Sequence, residues 1–527
     1  MRRRAAVALA VLLPGALLAQ APAAPSYDVL IRNGRVFDGS GNPWIRADVG
    51  IRGERIVAVG DLRGAGAREI VDAGSLYVAP GFIDTHSHAG GGLASERLGH
   101  AQPLLAQGIT TVFVNPDGGG PVDLAKQREA LLKAGIGVNA AQFVPHGSVR
   151  QAVLGMADRR PDASELERMK ALVRRGMQDG AVGLSSGPFY APGSYSDTAE
   201  LVALASVAAE FGGAYQSHIR DESDYTIGVL AAVDEVVRVA REARLRAVVT
   251  HVKALGPNVW GFGSAIVQRI ERARSEGLEV FADQYPYIAS ATGLSAALLP
   301  RWAQEGGEPA LLRRLADAAT RPKIRAAMVE NLARRGGAAR IQFRRAAHDA
   351  GIEGRTLEQV AQERGGEPVD VAMALLEKGG ASIVSFNMHE EDVRTLMRPA
   401  WTMTASDGDL VPPGEGVPHP RSNGTFPRKL RRYAIEEPVV SLEHAIRSMT
   451  ALPARVYRLA DRGEVRAGAF ADLVVFDLAR VRDRATYSEP HRLAEGMLHV
   501  FVNGRAAIRD AAFTGERNAR VLRHAAH

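Results

Sequence analysis

Two histidines separated by one residue, His86 and His88, close the run LYVAPGFIDTHSH in a chain that spends only 14 of its 527 residues on histidine. Residues two apart on a strand point to the same side, so Asp84, His86 and His88 share one face if this run is a strand. Neutral imidazoles suit Zn²⁺, which polarises a carbonyl and lowers the pKa of bound water to about 7. Paired histidines also occur as hydrogen-bonded core or surface residues. The presence of His218, His251 and Asp407 at the ends of other apolar runs favours the metal-binding reading.

The elements that must carry these side chains follow from the hydrophobic pattern. Between Pro80 and about Pro453, apolar strand-like runs alternate with helical patterns, as in a parallel α/β fold. In order they are LYVAPGFIDTHSH, ITTVFVNPDGG, VNAAQFVPHGS, AVGLSSG, GAYQSHIRDE, AVVTHVKALG, LEVFADQYPY and PAWTMTASDG. About eight such strands close a (β/α)8 barrel, whose catalytic groups sit at the C-terminal strand ends. The interval from Tyr287 to Ser382 is too long for one crossover and reads as a helical insertion, around 292–380, over the barrel mouth. Both chain ends read differently. YDVLIRNGRVFDGSGNPWIRADVGIRGERIVAVGDL alternates apolar and polar residues between Asn-Gly, Gly-Asn and Arg-Gly turns, and EVRAGAFADLVVFDL followed by LHVFVNGR repeats that pattern. The expected architecture is α/β: a metal-dependent TIM-like (β/α)8 barrel at 80–454 with a small β-sandwich domain built from 27–79 and 455–515.

Residues 1–21 stand apart from this pattern. Arg2, Arg3 and Arg4 precede an apolar run from Ala5 to Leu18 and small residues at Ala19 and Ala21, the layout of a secretory signal peptide with cleavage after Ala19 or Ala21. The run is shorter than the roughly 20 residues a spanning helix needs, and Pro14 and Gly15 interrupt it. A periplasmic or secreted location is expected, without stable membrane insertion once the signal is removed. Removing the three arginines from the formal net charge of +6 leaves +3, too little to point to a nucleic-acid partner. With no cysteine, no disulfide framework exists and the core alone must stabilise the fold.

The motifs GFIDTHSH, SHIRDE, THVKALG, ASDG, HPRSNGTFPRKL and MTALPARVYRLADRGEVRAGAFADLVVFD resemble the amidohydrolase superfamily, and within it the N-acyl-D-amino-acid deacylase (D-aminoacylase) family. The likeness covers nearly the whole mature chain. The histidine pair identifies only the superfamily, whereas YAPGSYSDTAEL, DQYPY and HPRSNGTFPR are more specific to the deacylases. The resemblance implies hydrolysis of the amide of an N-acyl-D-amino acid to a carboxylate and a free D-amino acid, with one or two zinc ions or another divalent metal. D stereochemistry comes from the resemblance alone. His86 and His88 match the ligands of the first strand, His218 and His251 those of the fifth and sixth, and Asp407 the catalytic aspartate of the eighth. A carboxylate beside an activated water accepts its proton and delivers it to the leaving amine. Tyr285 and Arg421 match positions that hold the substrate carboxylate. Lys253, two residues after His251, points the same way. His146 reads as a supporting or substrate-side group, and His419 as support for its proline-flanked loop.

One departure stands out. The family's usual metal-binding cysteine after the second strand is absent, and the chain reads VFVNPDGGGP there. Asp117 is the nearest candidate replacement, since carboxylate oxygen is an acceptable zinc ligand; Pro-Asp-Gly is also a favoured turn. Two other functions remain open at this point: an amidohydrolase of cyclic-amidase or dipeptidase-like activity, and a secreted binding protein on a degenerate barrel. The substrate expected on the main reading is a small N-acyl amino acid; nothing in the sequence sets an oligomeric state.

Overall fold

The computed structural model describes residues 26–524; the expected signal segment, 1–21, lies outside the described residues. Eight parallel strands form the barrel: Phe82–Asp84, Ile109–Val114, Asn139–Gln142 with its continuation Val144–Pro145, Gly183–Ser186, Ala214–Ser217, Ala247–Val249, Val280–Gln284 and Thr402–Thr404. A parallel bridge between Ser87 and Gly408 joins the last strand to the first. Strands of such a barrel are covered on both faces, which accounts for continuous apolar runs such as Ile109–Val114, buried at every position. The fourth and fifth strands approach so closely that a Cβ on Gly183 would lie 1.9 Å from the Ala214 carbonyl oxygen. Amphipathic helices cover the outside; Val229–Ala243, for example, buries Val229, Val233, Val236, Val237 and Ala240.

Strands from the two ends of the chain meet in one nine-stranded sheet, Leu473–Phe476 pairing antiparallel with Tyr77–Pro80. Val29, Ile31, Val49 and Ile51 from one end share a core with Leu473, Val475 and Phe501 from the other, as a sandwich requires. The alternation of a strand also ties this sheet to the barrel. Leu473 and Val475 face the sheet's own core, while Val474 and Phe476 pack with Phe82, Ile109 and Val112. The C-terminal tail goes further than the expected boundary at 515. Val521–Leu522 pairs parallel with Ala140 and Ala141 of the third barrel strand, beside the seam where that strand passes to the fourth.

The insertion after the seventh strand is not purely helical. Ser290–Gly293, Ile341–Arg345 and Ser382–Ser385 form a three-stranded antiparallel sheet, on which helices including Arg321–Arg334 and Leu357–Arg364 build a separate core around Leu298, Met328, Phe343 and Leu357. Ile341 and Phe343 alternate with partly exposed Gln342 and Arg344, a period-two signal only five residues long inside a helix-rich stretch. Among the described residues, no helix is long and apolar enough to cross a membrane.

Candidate metal centre and catalytic cavity

The first strand ends at Asp84, so His86 and His88 lie on its extension rather than within it. Backbone bonds hold that extension in place: Ser87 N–H donates to Phe113 O (3.0 Å), His88 N–H to Gly408 O (2.9 Å) and Asp407 N–H to His86 O (2.8 Å). Asp84 itself is buried below the site, accepting from the Ser406 amide at 2.8 Å and the Ser406 hydroxyl at 2.5 Å. Burial pushes its pKa up to about 7.

The four histidines and two aspartates meet at one point. Nε2 of His86 lies 3.3 Å from Asp117 Oδ1 and 3.5 Å from Asp407 Oδ1. Nε2 of His88 lies 3.4 Å from Asp117 Oδ2 and 3.1 Å from Asp407 Oδ1. Asp117 Oδ1 is also 3.4 Å from His251 Nε2 and 3.8 Å from His218 Nδ1. Two groups able to hold a cation result, His86–His88–Asp117–Asp407 and Asp117–His218–His251, and Asp117 belongs to both. The Pro116-Asp117-Gly118 turn therefore points into the barrel. It does so with Asp117 in the left-handed region (φ 56°), as are His251 (φ 35°) and Asp407 (φ 49°), a concentration of backbone strain typical of functional sites.

The residues present fit a metal. His86 Nε2, Asp117 Oδ1 and His218 Nδ1 are buried with no hydrogen-bond partner, although each carries a lone pair or a proton that burial would otherwise force to pair. Neighbouring strands set the ring orientations. The Thr250 hydroxyl donates to Asp283 (3.0 Å), so its oxygen accepts from His86 Nδ1 (2.7 Å) and leaves the Nε2 lone pair directed into the site. At His251, Glu222 stands 3.1 Å from Nδ1 and Lys253 Nζ 2.6 Å from the same atom, and the ring is held with Nε2 towards Asp117. The surrounding carboxylates raise partly exposed His88 to about 10, and raise His251 to about 9 against the burial that opposes its charge. Burial also opposes ionisation of Asp117 and Asp407, but the adjacent histidines, and for Asp407 chiefly Arg421, hold both well below the usual carboxylate range. His218 goes the other way: burial pushes it down to about 3. At His88 and His251 a divalent cation would compete with a proton for the same nitrogen.

The cavity above this point has a volume of about 430 Å³. Arg421, Lys253 and Tyr285 all line it. Arg421 contacts Asp407 Oδ2 at 2.7 Å and its guanidinium lies 4.7 Å from the centre of the Tyr285 ring. Its NH1 nonetheless lacks a well-aligned hydrogen bond. Lys253 is less free than its position in the sequence suggests, because Glu222 holds its Nζ at 2.5 Å and His251 Nδ1 lies 2.6 Å away. His146 is withdrawn from the cations' side: its Nε2 bonds Glu200 at 2.9 Å, and Arg150 completes a buried triad. His419 braces its loop, with Nε2 on Ala289 O (3.0 Å) and Nδ1 accepting from the Arg421 amide (3.0 Å). Glu222 and Tyr190, which lie at this site, were not singled out by residue type and spacing. Glu222 carried one usable signal, its position four residues after His218 in SHIRDE, and Tyr190 lies within the family-specific YAPGSYSDTAEL region, its ring 4.6 Å from that of His218.

Comparison with known proteins agrees with this geometry. The chain is 37% identical to N-acyl-D-glutamate deacylase from Alcaligenes xylosoxydans xylosoxydans, over 94% of this chain and 96% of that one. It is similar to the solved structure of a D-aminoacylase with a binuclear metal centre, with a TM-score of 0.80 and 34% identity over 94% of this chain and 100% of the other. N-acyl-D-glutamate deacylase from Bordetella bronchiseptica, solved with zinc and a phosphonate mimic of the tetrahedral intermediate, gives a TM-score of 0.80 at 33% identity, over 94% and 99% of the two chains. The amidohydrolase family pattern matches residues 69–508, which span the barrel and part of the sheet beside it, and the chain belongs to that family.

Proposed function

We propose that this protein is a metal-dependent N-acyl-D-amino-acid deacylase, hydrolysing the amide of an N-acyl-D-amino acid to a carboxylate and a free D-amino acid. The observation that carries the reading is the placing of Arg421 against Asp407 at the edge of a two-part metal site that shares Asp117. A cyclic amidase would not require Arg421, Lys253 and Tyr285 around one cavity. The preference for D substrates is supported by the names of the relatives, and zinc by the ion bound in the Bordetella bronchiseptica enzyme.

In this reading His86, His88, Asp117 and Asp407 hold one ion, and Asp117, His218 and His251 a second. The metal, when bound, supplies Lewis-acid polarisation of the scissile carbonyl and acidifies water. Asp407 accepts the proton that the attacking water gives up and returns it to the leaving nitrogen, which departs poorly unless protonated. Arg421 binds the substrate α-carboxylate, a planar partner that suits its fork better than the single contact it makes with Asp407. Tyr285 and Glu222 keep Arg421 and Lys253 in place. The three-arginine and apolar N-terminal segment supports export to the periplasm or medium.

The test is metal analysis of the purified protein combined with amine release from paired N-acetyl-D- and N-acetyl-L-amino acids. Hydrolysis of the D form that stops on chelation and returns with zinc is expected. Full activity in verified metal-free protein would sink the metal reading, and equal rates on both enantiomers the D preference.

A further inference from the structure

A second cavity, of about 620 Å³, opens beside the catalytic one and shares His88, Pro116 and Gly119 with it. We infer that this cavity receives the acyl chain of the substrate, so that N-acyl-D-amino acids with medium-length, unbranched fatty acyl groups are preferred over N-acetyl ones; the inference rests on the deacylase reading above.

Three observations support it. The first is polarity. Asn115 and Gln127 bear the amides in the wall, and they bond each other in both directions at 2.8 Å, so neither offers a free polar group to a ligand. Asp123 turns Oδ1 to capping its helix, accepting from the Lys126 amide at 3.0 Å. The rest of the wall is mainly glycine, proline and alanine, including Gly91, Ala94 and Pro121, with the exposed side chain of Lys126 as its one cation beside His88. The second is direction. Two arms leave a scissile amide carbonyl, one bearing the α-carboxylate and one an uncharged chain. Arg421 stands on the Oδ2 side of Asp407, whereas His88 stands on the Oδ1 side and opens to the second cavity. A carboxylate drawn to Arg421 sends the acyl arm past His88. The third is access: the His88 side chain is 35% exposed, while those of His86, His218 and His251 are buried, so the site is open on the side it shares with the second cavity.

Each methylene removed from water strengthens binding roughly fourfold when fully buried, and less in a groove open on one side. kcat/KM is therefore expected to rise at least about tenfold from N-acetyl- to N-octanoyl-D-amino acid, mainly through KM. Gly91→Leu fills the cavity at little cost, because Gly91 has no positive φ, a Cβ there meets nothing within 4 Å, and leucine is the better helix former. It should lower the octanoyl-to-acetyl ratio of kcat/KM about tenfold or more, and Ala94→Phe should act likewise. A wild-type profile that is flat or falls with chain length overturns the inference, as does an unchanged ratio in both variants. Failure to hydrolyse any chain length removes the deacylase reading itself, whereas hydrolysis of the acetyl compound with no gain for octanoyl removes only the acyl-chain site.

Discussion

Asp407 faces two demands at once, for Oδ1 lies among the histidines while Oδ2 contacts Arg421. Asp407→Asn keeps the shape but cannot move a proton, so turnover should fall about 10²–10⁴-fold, with unchanged circular dichroism; near-normal kcat would remove Asp407 from the chemistry. Arg421→Met should raise KM for N-acyl-D-amino acids far more than for the corresponding N-acyl-D-amino amides, which lack the charge; equal losses on both would give Arg421 a supporting role only. Asp117 presents its two oxygens to different histidines, Oδ2 to His88 and Oδ1 to His86, His218 and His251. Losing a bridge of this kind should cost at least about 10–100-fold in metal affinity, so Asp117→Ala is expected to lower bound metal, measured by elemental analysis, together with rate. Much of this was legible in advance because chemistry-bearing residue types sat at the ends of apolar runs. Glu222 was legible only through its place four residues after His218, since its effect on His251 and Lys253 is created by loops that are neighbours only in the folded barrel.

Among elements, the barrel strands were readable because parallel strands buried on both faces announce themselves as unbroken apolar runs. The sheet within the insertion and the two-residue tail strand Val521–Leu522 offered too few periods to register against flanking helix and coil. Packing between elements also creates chemistry that no motif reveals. Lys429 opens the π-helical stretch Lys429–Glu436 and is buried, its Nζ bonded to Thr404 Oγ1 on the eighth strand (2.9 Å) and to Ser448 Oγ (2.9 Å). Burial pushes it down from 10.5 to about 7. Below that value Lys429 is charged in both states and the fold bears the whole cost of burying the charge. Between about 7 and 10.5 the unfolded chain keeps a proton that the folded one has released, so stability rises with pH, by at most about 1.4 kcal/mol per pH unit. Lys429→Met should flatten this rise. Urea midpoints across the same interval check it; matching slopes in both proteins would mean that Lys429 is paired in a way that keeps its ordinary affinity for protons.

Among the described residues the molecule joins four cores: barrel, sandwich-like sheet, insertion and the one where sheet and barrel pack together. The catalytic cavity draws on two of them, with Ser290, Arg344 and Ser382 of the insertion in its wall alongside the barrel loops. The last described residues belong to the barrel as much as its first strand does. Ala140 N–H donates to Arg520 O (2.9 Å), Arg520 N–H to Asn139 Oδ1 (3.0 Å) and His524 N–H to Gly180 O (2.9 Å), which stitches the tail across the third and fourth strands. Deleting residues from Asn518 onward should therefore lower the melting temperature and loosen the barrel, visible as faster amide exchange at Asn139–Gln142; exchange unchanged there would make the tail ornamental. The timing of synthesis gives this seam a further meaning. Asn139 leaves the ribosome 381 residues before its partner Arg520, so this bond waits until that whole stretch has been made, and late long-range closure of this kind slows folding.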